Sequence, residues 1–136
     1  MKDLNVMYVD DDSIIRSIVK MTLQRQSGVT VSEFSSGHLA LEAGKSLCPD
    51  LILLDYIMPD MNGIEVLSML RKTEEMADTP VIFVTSNTRP EEVEAYFVAG
   101  AIGVIAKPFD LVALPGQVFE LWSDFKAGKD PAPLQD

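Results

Sequence analysis

Asp55 follows the apolar run Leu51-Ile52-Leu53-Leu54 and precedes Tyr56-Ile57-Met58-Pro59. A carboxylate at the end of a buried strand has to face a water-filled crevice, because it cannot stay ionised among leucines. Three further patterns end apolar runs in the same way. They are Asp10-Asp11-Asp12 after Val6-Met7-Tyr8-Val9, Thr85-Ser86 after Val81-Ile82-Phe83-Val84, and Lys107-Pro108 after Val104-Ile105-Ala106. Acids, a hydroxyl and one amine gathered at a single sheet edge would make a site for a divalent cation and a phosphoryl group.

The elements that must position these groups alternate without a break. Strands read at about 4–9, 29–34, 51–55, 80–85 and 102–106, the later ones as continuous apolar runs typical of parallel strands covered on both faces. Helical patterns lie between them at 13–26, 36–47, 62–74, 90–100 and 111–126. In the first, Ile15, Ile18, Val19, Thr22 and Leu23 recur at helical spacing and should face the sheet. Asn62-Gly63-Ile64-Glu65 and Thr88-Arg89-Pro90-Glu91 both read as capping boxes, and Pro115 reads as the start of the regular last helix after an irregular 108–114 lead-in. Five βα units with short, right-handed connections predict an α/β, flavodoxin-like (βα)5 three-layer sandwich with a parallel sheet of order 2-1-3-4-5. That order makes strands 1 and 3 neighbours, so Asp10–Asp12 and Asp55 share a crevice, with Thr85 beside them and Lys107 at the far rim.

With 136 residues, the chain suits one domain, expected over 1–126, with 127–136 as a flexible tail or linker stub. No segment has the roughly 18 consecutive apolar residues of a membrane span, and Met1-Lys2-Asp3-Leu4-Asn5 does not read as a signal peptide. Cys48 is the single cysteine, which excludes an internal disulfide framework and fits a reducing cytoplasm. A net charge of −10 argues against direct nucleic-acid binding.

These motifs, in this order, resemble the receiver domain of two-component response regulators, in the single-domain chemotaxis style, over roughly residues 3–126. The resemblance rests on the acidic group after strand 1, Asp55 with Met58-Pro59 and Gly63, Thr85, and Lys107-Pro108-Phe109. The spacing agrees too: Thr85 lies thirty residues after Asp55 and Lys107 twenty-two after Thr85. It implies that Asp55 accepts a phosphoryl group from a histidine kinase or histidine phosphotransfer protein. Mg²⁺ (or Mn²⁺) would be held by Asp11, Asp55 and the backbone carbonyl of Ile57, with Asp10 acting mostly through coordinated water. Lys107 would meet a phosphoryl oxygen and Thr85 would hydrogen-bond another, drawing its loop inward. Such a protein catalyses only its own phosphorylation and dephosphorylation. A downstream target, or a second copy in a phosphorylation-dependent homodimer, would dock on the 90–126 face.

The chain also departs from the pattern. Many family members carry an aromatic ring three positions before the lysine, where this chain has Val104. Ile57 and Asn87 occupy the positions that tune water access to the phosphorus, and an apolar Ile57 points to slow phosphate loss. Two rival functions follow from the same residues. One is a constitutive receiver-fold docking module that is never phosphorylated. The other is a haloacid-dehalogenase-type phosphatase with Asp10 as nucleophile, which leaves Asp55 unexplained.

Taken singly, most of these residues have plainer readings. Asp10–Asp12 could be a solvated helix start, with Asp12 as the cap. Lys107 alone would be a surface lysine and Thr85 a strand-end hydroxyl. His38 reads as a surface residue away from the site, Cys48 as a small buried hydrophobe, and the methionines as core filler. Trp122 and Phe125 should pack on the sheet or the first helix, and Phe119, Trp122 and Pro115 could contribute to a partner surface. Only Asp55 lacks a comfortable plain reading.

Overall fold

The computed structural model of the protein describes residues 3–131. Five parallel strands, β1 (Leu4–Val9), β2 (Val29–Phe34), β3 (Leu51–Leu54), β4 (Val81–Thr85) and β5 (Gly103–Ala106), form one sheet of order β2-β1-β3-β4-β5. The helices are α1 (Ser13–Gln24), α2 (Gly37–Leu47), α3 (Gly63–Arg71), α4 (Pro90–Val98) and α5 (Leu114–Lys126). The flavodoxin-like fold and the strand order match the sequence expectation. β1 and β2 have the expected bounds, and the other elements are shorter than expected by one to three residues at one or both ends.

Side-chain alternation along the strands divides the interior in two. Val6, Tyr8, Leu51, Leu53, Ile82, Val84 and Ile105 join Val19 and Leu23 of α1 and Val118 and Leu121 of α5. Met7, Val9, Ile52, Leu54, Val81, Phe83 and Val104 face the opposite layer, with Ala40, Val66, Leu70 and Tyr96. All four β3 side chains are buried, at about 1.5–3 kcal/mol each relative to exposure. The strand that delivers Asp55 is thereby fixed from both faces.

The helix starts show what local sequence controls. Asp12 caps α1 by accepting from the N–H groups of Ile14 and Ile15. Asn62 and Glu65 form the expected capping box of α3. The box expected at Thr88 does not form. Pro90 holds its predecessor in extended backbone, so Arg89 is the N-cap without a side-chain bond, and its guanidinium pairs with Glu91 and Glu92 instead. Pro115 lies in the first turn of α5 after an irregular lead-in, as expected.

Three residue readings need correction. Cys48 is exposed rather than buried, because it ends α2 in a left-handed conformation with φ 45°. Met7, Met58 and Met76 are core residues, but Met21 and Met69 are exposed. Trp122 packs on the α1–α5 side, whereas Phe125 is exposed. The expected tail starts where α5 ends, and its residues 132–136, like Met1 and Lys2, lie outside the described residues. Among the described residues, no helix is long and apolar enough to cross a membrane.

Candidate functional site

Asp55 is the first residue past β3, and its N–H still donates to the Val9 carbonyl at 3.0 Å, which ties it to β1. Only 7% of the residue is exposed. Its Oδ1 accepts from the Tyr56 N–H at 2.7 Å and its Oδ2 from Lys107 Nζ at 3.2 Å. Gly63 packs against this turn. Its N–H donates to the Tyr56 carbonyl at 2.8 Å, and a Cβ there would lie 2.5 Å from the Asp55 carbonyl oxygen and 2.6 Å from the Phe83 ring. Backbone cannot yield as a flexible side chain can. Gly63→Ala should therefore cost about 1–3 kcal/mol of stability and displace Asp55, read as a lower denaturation midpoint together with impaired metal binding.

Asp10 follows β1 and is completely buried. Its Oδ2 accepts from the Tyr8 hydroxyl at 2.6 Å and from Lys107 Nζ at 2.6 Å, and its Oδ1 accepts from the Asp12 N–H at 2.9 Å. The Arg16 guanidinium donates to the Asp10 carbonyl at 2.7 Å and to Glu33 at 3.1 Å. Tyr8 and Arg16 are supporting residues that the sequence pattern did not single out. Tyr8 looks like one more strand residue, and the reach of Arg16 depends on how α1 lies on the sheet. Burial and the charges of Asp10 and Asp55 push the Tyr8 phenol far above its ordinary pKa, so it remains a donor to Asp10.

Asp11 is exposed, and one carboxylate oxygen from each of Asp10, Asp11 and Asp55 lies within 4.8 Å of the others. An all-oxygen donor set on that scale fits a hard divalent cation such as Mg²⁺. Ile57 follows two residues after Asp55 with its side chain largely exposed.

Lys107 leaves β5 and bridges Asp10 and Asp55. Burial alone would lower its pKa, but the hydrogen bond to Asp10 and the charge of Asp55 outweigh that and hold it above the ordinary value. Burial raises the pKa of Asp55. The charge of Lys107 opposes this, repulsion from Asp10 adds to it, and the net shift is upward. Thr85 is buried at the end of β4. Its Oγ1 accepts from the Asn87 N–H at 3.1 Å, and its carbonyl accepts from the Lys107 N–H at 2.9 Å. An open pocket lined by Ile15, Ile18, Ser86, Lys107, Pro108, Phe109 and Leu111 flanks the lysine. The structure thus brings Asp10, Asp11, Asp55 and Lys107 into one cluster, with Thr85 on the adjoining strand end. His38 is exposed on α2 near Asp60, outside this cluster.

The family model of the response regulator receiver domain matches residues 6–118. Chemotaxis protein CheY-3 of Vibrio cholerae is 34% identical over 113 residues, spanning 83% of this chain and 87% of that protein. The solved structure of chemotaxis response regulator CheY4 of Vibrio cholerae aligns with a TM-score of 0.81 at 31% identity, covering 88% of this chain and 98% of that one. The BeF3-activated DrrB receiver domain aligns with a TM-score of 0.77 at 29% identity, over 89% of this chain and 98% of that one.

Proposed function

Because this chain belongs to the response regulator receiver domain family, we propose that it takes a phosphoryl group onto Asp55 from a histidine kinase or histidine phosphotransfer protein and thereby switches its contacts with other proteins. The observation that carries this reading is the bridge from Lys107 Nζ to Asp10 and Asp55, with Asp11 completing a carboxylate cluster at the same strand ends.

An Asp55 carboxylate oxygen attacks phosphorus and forms the new O–P bond. The P–N bond to the donor imidazole breaks, and its electron pair stays on the ring nitrogen. Tyr56 N–H orients the other Asp55 oxygen. Lys107 places a compact positive charge where the phosphoryl oxygens gather negative charge. Asp10, held by Tyr8 and Asp12, keeps Lys107 in place. Asp11, Asp55 and the Ile57 carbonyl would hold Mg²⁺ or Mn²⁺, with Asp10 contributing through water. When bound there, the ion screens Asp55 from the incoming dianion and stabilises charge in transfer.

The apolar pocket beside Lys107 gives a donor protein a surface to rest on while its histidine reaches Asp55. On the 90–126 face, Val98 and Val112 are strongly exposed and available to a downstream target or a second copy. The exposed, apolar Ile57 remains consistent with slow loss of phosphate. Asp10 as nucleophile is disfavoured by its complete burial and by the Tyr8 hydroxyl and Lys107 Nζ, both at 2.6 Å on one of its oxygens, whereas Asp55 keeps some exposure and a longer 3.2 Å contact with Lys107.

Acetyl phosphate with Mg²⁺ should add one phosphoryl group to the intact protein, and omission of Mg²⁺ in the presence of a chelator should abolish it. Absence of the adduct when Mg²⁺ is present, with beryllofluoride also failing to bind, would favour the unphosphorylated docking module instead.

A further inference from the structure

Tyr96 is the only fully buried residue of α4. Its ring stacks on Phe83 of β4 at 4.6 Å between centroids and tilts against Tyr56 at 5.4 Å, so it touches both the strand that ends in Thr85 and the residue after Asp55. Its hydroxyl donates to the Asn87 carbonyl at 2.8 Å. Asn87 in turn donates its N–H to Thr85 Oγ1 at 3.1 Å. Thr85, Asn87 and Tyr96 are therefore joined in a short chain of hydrogen bonds that links the end of β4 to the last turn of α4. Val104, the sheet partner of Phe83, is buried in the same layer as Tyr96 and offers no polar group to this chain of bonds. A helix anchored on a loop through a buried hydroxyl cannot stay still when the loop changes its hydrogen bonds.

We propose that Tyr96 is the positioning residue that couples the phosphorylation state of Asp55 to α4, by way of Thr85 and the Asn87 carbonyl. The inference rests on Asp55 being the acceptor. A phosphoryl oxygen accepts from the Thr85 hydroxyl and draws Oγ1 away from the Asn87 N–H that donates to it, the 85–87 turn rearranges, and the carbonyl held by Tyr96 carries α4 with it. The aromatic lever sits on the helix rather than on β5, so the small Val104 leaves the switch intact. The coupled element is α4 itself, with the exposed Val98 at its end. This is a two-arrangement element biased by one site, which is what transmission requires physically.

The test compares backbone amide spectra with and without Mg²⁺ and beryllofluoride for wild type, Tyr96→Phe, Thr85→Val and the double variant. Tyr96→Phe keeps the ring and its stacking, and its thermal midpoint reports whether packing is intact; Tyr96→Leu, which removes the ring as well, separates packing from hydroxyl effects. In Tyr96→Phe, shifts around Asp55 should persist while those across 91–98 fall several-fold. The double variant should lose no more than either single one, the non-additivity expected of residues acting through one contact. Wild-type-sized α4 shifts in Tyr96→Phe, or additive losses in the double variant, would overturn the coupling. A wild type that does not respond to beryllofluoride at all would instead overturn the Asp55 reading, and the coupling with it.

Discussion

Asp55→Asn should abolish phosphoryl labelling altogether and, in the metal-free protein, raise stability at neutral pH. The first effect is loss of the nucleophile: an amide oxygen is too weak to displace imidazole or acetate from phosphorus. The second follows from the raised pKa of Asp55. The folded protein holds the Asp55 proton more tightly than the unfolded chain does, so ionising this group costs folding free energy. Its penalty is absent below the ordinary carboxylate range, grows as pH rises through the raised folded pKa, and is complete above it. Asn removes that penalty. Denaturation midpoints of the two proteins in chelator should diverge at neutral pH and converge as pH falls toward the ordinary carboxylate range, while Mg²⁺ should stabilise the wild type more than the variant. A variant less stable than wild type in chelator at neutral pH would contradict this electrostatic account.

Removing the cation has the opposite effect on stability. Lys107→Ala leaves Asp10, completely buried, and Asp55, nearly so, facing one another without their shared ammonium. Deleting one partner of a buried pair costs about 3–5 kcal/mol, and here the low end applies because Lys107 retains some exposure. The loss, a fall in Tm of roughly 10 °C for a chain of this size, should be greatest near neutral pH in chelator. It should shrink with millimolar Mg²⁺ or at acid pH, because either removes carboxylate repulsion. Labelling by acetyl phosphate should slow by roughly 10²-fold, the usual cost of one charge-stabilising donor. Equal labelling rates in the two proteins would remove Lys107 from the transfer step.

The residues ending the strands were legible because each one breaks an apolar run with a group that cannot be buried alone. Asp55 after four buried strand residues needs no three-dimensional information to look out of place, and the parallel order then predicts its company. Asp12 and Asn62 were legible as caps because their bonds stay within a few residues. What escaped depends on tertiary placement or on a local conflict. Tyr8 and Arg16 matter only because their polar ends arrive at Asp10. Pro90 overrides the Thr88 pattern by fixing Arg89 in extended backbone, and Cys48 takes a left-handed turn that nothing in its residue type demands. Tyr96 is the most instructive miss. Its helix has an unremarkable pattern, and its role emerges only when its hydroxyl is seen on the Asn87 carbonyl. The departure at Val104 was visible, but the residue that fills the same layer from the facing helix was not.

The phosphoryl group should go to Asp55 and nowhere else. Protein labelled with acetyl phosphate and Mg²⁺ can be reduced with borohydride, which converts an acyl phosphate to the corresponding alcohol, and then digested for peptide mass mapping. Homoserine in place of Asp55, and unmodified aspartate at positions 10, 11 and 12, is the result the geometry predicts. Homoserine at Asp10, or a reduced residue at any other aspartate, would contradict it.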